Sequence, residues 1–320
     1  MSPTDWDGSP PPPATLGDRA VPRLGDHLAG RRVALLVTGG IAAMKAPLTA
    51  RALRKHGATV VAFASPEALR YVAQDALHWS TGSPVVTSLS PLAEHLSDEH
   101  PFDAWLVAPA TYNTLNKVAA GVADSVVTAP LAGALGRLQR GETAVLVAPT
   151  MHGSMHNPIL SRSLALLADL GVRVVPPRPG YGKHNIPHED ALVAEVARAT
   201  SRSPLRGVAV EVVGAPVADE AGFDATVAVE KGRLAAALAW ELWARGADVR
   251  LLQTADAAAV RAPIDPISRG SRLRAGAWVV GWSPCGADFT LALPGPAAAG
   301  APEAGATLVA DLLESRARSA

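Results

Sequence analysis

The segment RRVALLVTGGIAAMKAPLTARALRKHGATVVAFA, Arg31 to Ala64, decides the fold. Val33 to Val37 is a short, unbroken apolar run, the composition expected of a strand buried on both faces. Thr38-Gly39-Gly40 then supplies a tight turn. From Ala42 to His56 the sequence places Leu48, Ala52 and Leu53 on one side and Arg51, Arg54 and Lys55 on the other, the pattern of an amphipathic helix. A second apolar strand, Thr59 to Ala64, follows at once, so the segment reads as strand, helix and strand.

The same pattern recurs downstream. Ser65 to Ala73 reads as a helix after the second strand. Asp103 to Ala110 is a strand before a helix from Asn113, Thr143 to Pro149 precedes a helix near Asn157, and Val172 to Val175 completes the series. Apolar strands alternating with amphipathic helices predict an α/β fold, a doubly wound parallel sheet covered on both faces, with ligands bound beyond the carboxyl ends of its strands. Pro176 to Asp190 holds four prolines and two glycines without apolar periodicity, which predicts an extended loop serving as a lid or binding flap. A helix from Asp190 to Thr200 and a linker from Ser201 to Gly207 follow. A second, smaller α/β region then begins with VAVEVV, a helix from Lys231 to Arg245 and a strand from Asp248 to Leu252. Beyond Ala255 the pattern becomes irregular, and Pro294 to Ala306 is of low complexity. The expected organisation is a disordered proline-rich tail over 1–30, one α/β domain over 31–200 and a second over 205–320.

Among the 320 residues, 29 Lys and Arg balance 29 Asp and Glu, which argues against capture of nucleic acid or an anionic membrane. With 48% hydrophobic and 18% charged residues the chain has ample material for a core. Its single cysteine, Cys285, cannot form an internal disulfide, and the first residues carry Asp5, Asp7 and four consecutive prolines where a secretion signal needs an apolar core. No window reaches the roughly 18 clean apolar residues of a membrane helix. The expectation is a soluble, cytoplasmic protein.

The turn Thr38-Gly39-Gly40-Ile41, between a strand and its helix, offers backbone N–H groups to an anion. It matches neither the dinucleotide fingerprint nor the P-loop, so a plain glycine turn explains it as well. Six of nine histidines, His95, His100, His152, His156, His184 and His188, fall in loops or helix starts after strands. His152 with His156 and His184 with His188 have the spacing of two metal ligands on one helix face, but Pro187 interrupts the second pair and no metal site is expected. There is no G-x-S-x-G, no H-E-x-x-H and no cysteine near these histidines. Any hard chemistry therefore falls to a bound cofactor, with the protein supplying position and proton transfer.

Four segments carry a resemblance. GGIAAMKAP (Gly39 to Pro47), AFASPEALRYV in the second strand and beyond, HLSDEHPFDAWLVAPATYNTLNKVAAGVAD (His95 to Asp124) and APTMHGSMHNP (Ala148 to Pro158) resemble the homo-oligomeric flavin-containing cysteine decarboxylases. That family includes phosphopantothenoylcysteine decarboxylase of coenzyme A biosynthesis and the peptidyl-cysteine decarboxylases. The resemblance covers about Arg31 to Thr200 and implies a Rossmann-like (flavodoxin-like) fold, FMN as cofactor and a trimer-based homo-oligomer. By it, Gly39, Gly40 and Ile41 approach FMN at the first turn, Ser65 lies near the flavin phosphate, and Ala110, Thr111 and Asn113 also hold the cofactor. Met151 and His152 would lie at the substrate, and His95, eight residues before Asp103, matches the family's active-site histidine. The implied chemistry is oxidation of a cysteine side chain to a thioaldehyde, which lets the neighbouring carboxylate leave as CO2, with His95 as the assisting base.

Two departures modify that picture. His152 stands where the family has an asparagine that grips the substrate, and an imidazole can donate a hydrogen bond without copying a carboxamide. The flap Pro176 to Asp190 lacks the cysteine that donates a proton in the coenzyme A enzyme, so an oxidative outcome that releases an enethiol fits better than the full reaction. The substrate is then a small molecule or peptide with a cysteine carboxylate. Keeping His95 while lacking the flap cysteine also suits a flavin-binding half-site subunit of a mixed oligomer, which is the alternative. A flavin prenyltransferase fits the PATYNT and P-x-M-x-x-x-M segments less well. The second region resembles the phosphopantothenate-cysteine ligase domain, with Gly232 at its nucleotide-binding glycine but Glu230 and Lys231 in place of serines. A degenerate scaffold without ligase activity is expected.

Overall fold

The computed structural model describes residues 8–10, 12–13, 15–91, 96, 100–213, 225–252, 265–267, 278–281, 290–292 and 302–319. His95 and Cys285 lie outside the described residues. Strands β1 (Arg32–Val37), β2 (Thr59–Ala64), β3 (Ala104–Ala110), β4 (Ala144–Pro149) and, after the two-residue β5 (Met151–His152), β6 (Arg173–Val174) include the central sheet. Its order is β2-β1-β3-β4-β6, with every pair parallel. All seven residues of β3 are buried, which is why the strand reads as a continuous apolar run.

Both faces of the sheet are covered. Side chains alternate along a strand, and Val33, Leu35 and Val37 of β1 belong to one apolar cluster while Ala34 and Leu36 belong to the other. The first cluster packs against α1 (Ala46–Lys55), α2 (Gln74–Thr81) and α6 (Glu189–Thr200). The second packs against α3 (Tyr112–Ala119), α4 (Thr128–Gln139) and α5 (Pro158–Asp169). This is the doubly wound α/β architecture expected, and it brings the turns after β1, β2, β3 and β4 to one edge.

Local chemistry moves several boundaries. The helix expected over Ala42 to His56 is a 3-10 turn, Ile41–Lys45, followed by α1, because Pro47 sits in the first α-helical turn, where its missing N–H costs nothing. Ser65 to Ala73 is not a regular helix: only Ala68–Arg70 forms a short 3-10 turn, and α2 begins at Gln74. The packed part of the chain also reaches back into the proline-rich segment. The N–H groups of Leu24 and Leu28 donate to the carbonyls of Lys55 and His56, and Leu28 is fully buried.

The largest difference concerns Pro176 to Asp190. Instead of an extended loop, β7 (Arg178–Gly180) and β8 (Lys183–Asn185) form an antiparallel hairpin, and β8 pairs with β5 in a three-stranded sheet. Its two-residue turn, Tyr181-Gly182, has positive φ at both positions, the geometry that matches the natural strand twist.

The second unit is a parallel five-stranded sheet of order β11-β10-β9-β12-β13, built from β9 (Ala209–Val213), β10 (Asp248–Leu252), β11 (Asp265–Ile267), β12 (Trp278–Gly281) and β13 (Thr290–Ala292). Helix α7 (Ala225–Ala244) starts six residues before the expected Lys231, so Gly232 lies inside it. The side chains of Glu230 and Lys231 lie outside the described residues. Helix α8 (Pro302–Ser319) takes in the end of the low-complexity stretch, and three of the new strands fall in the region read as irregular. No helix of the described residues is long and apolar enough to cross a membrane.

A buried polar cluster joins the two units. His27 Nε2 lies 2.9 Å from Glu241 Oε2, its Nδ1 lies 3.1 Å from His56 Nδ1, and the Trp240 ring packs against both histidines. Burial, reinforced by His27, pushes His56 down to about 4. Burial opposes ionisation of Glu241, but His27 and Arg245 hold it below its ordinary value. The unfolded chain thus binds more protons at His56 between about 6.5 and about 4, so stability falls as pH drops through that window, and Glu241 adds to the loss below it. After discounting for partial exposure, the denaturation free energy should fall by about 2 kcal/mol across the window. His56→Gln should flatten that slope in urea titrations.

Candidate active site

A cavity of about 820 Å³ opens where the turns after β1, β2, β3 and β4 meet the hairpin. Gly39, Gly40, Ile41, Ser65, Thr111, Asn113, Met151 and His152, all expected from the sequence, line it. Ala110 does not: it is fully buried at the end of β3, and its carbonyl accepts from the Thr150 N–H at 3.1 Å. Its small side chain lets the strand end pack.

Two turns shape the floor. Thr38 is buried and donates from Oγ1 to the Pro109 carbonyl at 2.7 Å, and the Thr111 N–H donates back to Thr38 Oγ1 at 3.3 Å. Thr111 also caps α3 and meets Thr114 Oγ1 at 3.1 Å. The end of β1 and the start of α3 are thereby fixed together. Gly39 is required by packing, because a Cβ there would lie 2.4 Å from Glu67 Cβ. Ser65 Oγ accepts from the Ala68 N–H at 3.1 Å and holds the turn after β2. Asn157 caps α5 through Oδ1, and its Nδ2 donates to the Tyr112 hydroxyl at 3.2 Å.

The hairpin forms the opposite wall. Sequence reasoning did not single out Arg178 and Lys183 on it, and took His184 only as half of a metal-spaced pair, yet all three line the cavity. A signal was present in Tyr181-Gly182 at the midpoint of a polar stretch, the turn of a two-residue hairpin. The metal-spaced pairs are not on helices. His152 and His156 flank a 3-10 turn, Gly153–Met155, and His184 lies on β8 while His188 precedes α6. His156 instead packs edge-on against His184, with ring centres 4.2 Å apart.

The charge balance of the cavity favours an anion. Among the described residues its one lining carboxylate, Glu67, is paired with Arg70 at 3.0 Å. Lys117 is paired with Asp124 at 2.6 Å, and that hydrogen bond holds the Asp124 carboxyl below its ordinary value. Lys45 and Lys183 have no ion pair among the described residues. Ile41, Met44, Met155 and Val127 add apolar surface, so the site combines apolar side chains with hydroxyl, amide and ammonium donors.

Gly153 couples the hairpin to this wall. Its N–H donates to the Gly182 carbonyl at 2.9 Å, and a Cβ there would lie 2.5 Å from that same oxygen. Gly153→Ala should push the hairpin tip away. Protease cleavage within residues 178–185 is expected to accelerate by about tenfold with little change in global unfolding, as for a local opening.

A family model described as Flavoprotein matches residues 23–201. The coenzyme A biosynthesis bifunctional protein CoaBC of Thermococcus kodakarensis is 33% identical over 233 residues, covering 71% of this chain and 57% of that protein. The CoaBC protein of Escherichia coli is 31% identical over 159 residues, covering 48% and 37%. The chain thus spans about half the length, or less, of these curated relatives. Among solved structures, the FMN-dependent cysteine decarboxylase SpaF aligns with a TM-score of 0.47 at 25% identity, covering 54% of this chain and 99% of that one. The peptidyl-cysteine decarboxylase EpiD aligns with a TM-score of 0.45 at 23% identity, covering 52% and 97%. With the family model spanning the whole first α/β unit and the turns that line its cavity, the chain belongs to the flavoprotein family.

Proposed function

We propose that the chain is an FMN-dependent decarboxylase of a cysteine-derived carboxylate, a small molecule or a peptide ending in cysteine. The observation that carries this reading is the cavity itself: glycine turn, capped α3, Asn113 and the Met151-His152 strand converge on one apolar, anion-favouring space. Gly39, Gly40, Ile41, Ser65, Thr111 and Asn113 would hold the flavin and its phosphate, an assignment that suits the donor set and the absence of an unpaired carboxylate among the described lining residues. Asn113 is exposed in the cavity, where its amide can both donate and accept. When bound, FMN supplies the two-electron oxidation that turns the cysteine side chain into an electron sink for loss of CO2. His95 takes the proton released in that oxidation, Met151 packs against the substrate, and His152 donates to it.

Ile41, Met44 and Leu48 stand exposed at helical spacing beside the cavity, at 71%, 59% and 56%. Such a stripe supports a homo-oligomer, trimer-based by family resemblance, in which a second copy covers the flavin edge. It supports equally the alternative of a half-site subunit, which would recover activity only with a related chain. The second unit is read as a scaffold without ligase activity, so no pyrophosphate should be released from a nucleoside triphosphate in the presence of phosphopantothenate and cysteine.

The test is direct. Protein reconstituted with FMN should show a bound flavin spectrum. Mass spectrometry should then find phosphopantothenoylcysteine or a cysteine-terminated peptide lighter by CO2 and two hydrogens. A flavin-loaded protein that leaves both untouched, alone and with a related subunit, would remove the decarboxylase reading.

A further inference from the structure

We propose that the second unit positions the cavity hairpin from behind, through α6, and that Trp240 of α7 is the positioning residue. This role stands whatever reaction the cavity performs. From Ala191 to Ala197 every residue of α6 is buried, so for about two turns the helix has no solvent face. Leu192, Val193, Val196 and Ala197 belong to the apolar cluster of the first unit. The rest of the helix is held by the second. Trp240 Nε1 donates to the Asp190 carbonyl in the first turn at 3.1 Å, and Trp243 Nε1 donates to the Glu195 carboxylate further along at 2.9 Å. Near the helix end Arg198 pairs with Asp248 of β10. α6 is thus a shared helix whose position both units set.

The hairpin hangs on the N-terminal end of that helix. β8 ends at Asn185 and α6 begins at Glu189, so only Ile186, Pro187 and His188 connect them. This connector has little slack. Ile186 is buried in the cluster of the first unit, Pro187 is buried with its φ fixed by its ring, and the His188 carbonyl accepts from the N–H groups of Ala191 and Leu192. The Ile186 carbonyl also accepts from Arg178 Nε at 3.1 Å, which ties the connector to the first residue of β7. A shift in the first turn of α6 is therefore passed to both strands of the hairpin. Trp240 is seated to prevent one: its ring packs on His27 and His56, with ring centres 5.0 and 5.4 Å away, so the direction of its N–H is fixed. The second unit then has a use that needs no catalysis of its own.

Amide hydrogen exchange read by mass spectrometry on FMN-reconstituted protein tests the link, in peptides covering the hairpin and the first turn of α6. Trp240→Ala should raise exchange by about tenfold in both. Pro187→Gly slackens the connector with every contact of α7 in place, and should raise exchange in the hairpin alone. In the double variant the hairpin should exchange no faster than in Pro187→Gly, because the path through which Trp240 acts is already loose. Trp240→Phe keeps the ring and loses only the N–H, so it should restore most of the hairpin protection, leaving an increase of about threefold. It carries the same comparisons if the alanine variant does not fold. A hairpin exchanging at the wild-type rate in both Trp240 variants overturns the proposal. So does a double variant whose hairpin shows the full product of the two single effects, the mark of general loosening.

Discussion

Replacing His95 by asparagine is expected to leave flavin binding intact and to lower CO2 release by about 10²–10⁴-fold. Oxidation of a cysteine side chain releases a thiol proton, and an imidazole titrating near neutrality is the side chain suited to take it. Asparagine matches the size of the ring's inner half and keeps a donor and an acceptor, but it cannot accept a proton. The residues proposed to hold the flavin come from the turns after β1 and β2 and the start of α3, so the absorbance spectrum should survive the change. Turnover at the wild-type rate in His95→Asn would take the residue out of the mechanism.

How much of this was legible in the sequence depends on where each element finds its stabilising contacts. Beyond Arg32 and Thr59, which open β1 and β2, the strands β1, β2, β3 and β4 are apolar because they are largely buried on both faces, so composition alone located them. The hairpin 178–185 was hidden because its strands hold Pro179, Lys183 and His184 and show no alternation. It exists through pairing with Met151-His152 and through the contact between Gly153 and Gly182, both tertiary. The glycine turn, Ser65, Thr111 and Asn113, expected from the resemblance, line the cavity because they stand on short turns next to strand ends. Lys183 escaped notice because a lone lysine in a polar loop has no signature until β8 sets it opposite His152. Ala110 differs from these: it lies within a matching motif, yet the strand carries its side chain into the core.

Removing the Arg173 guanidinium should be the most damaging change outside the cavity. Glu195, on α6, has a fully buried carboxylate that accepts from Arg173 Nε at 2.6 Å, from Arg173 Nη2 at 3.1 Å and from Trp243 Nε1 of α7 at 2.9 Å. Arg173 is on β6, so one carboxylate ties the edge of the first sheet to the helix of the second unit. Its bidentate geometry is the strong form of ion pair, and the hydrogen bond to Glu195 raises the Arg173 pKa. Breaking a buried pair from one side costs about 3–5 kcal/mol, because the remaining charge stays desolvated. Arg173 is 42% exposed, and water reaching the gap should reduce that loss to about 2–3 kcal/mol for Arg173→Met. Trp243 alone cannot neutralise the carboxylate, so Glu195 would have to bind a proton or draw water between the units. The double variant Arg173→Met, Glu195→Met removes the stranded charge and should recover about half or more of the loss, since apolar replacement of a whole buried pair is often near neutral. Urea denaturation of the two single variants and the double variant measures the coupling. Additive losses would mean that the pair contributes nothing as a pair, and that the two units are held together by Trp240, Arg198 and the His27 cluster instead.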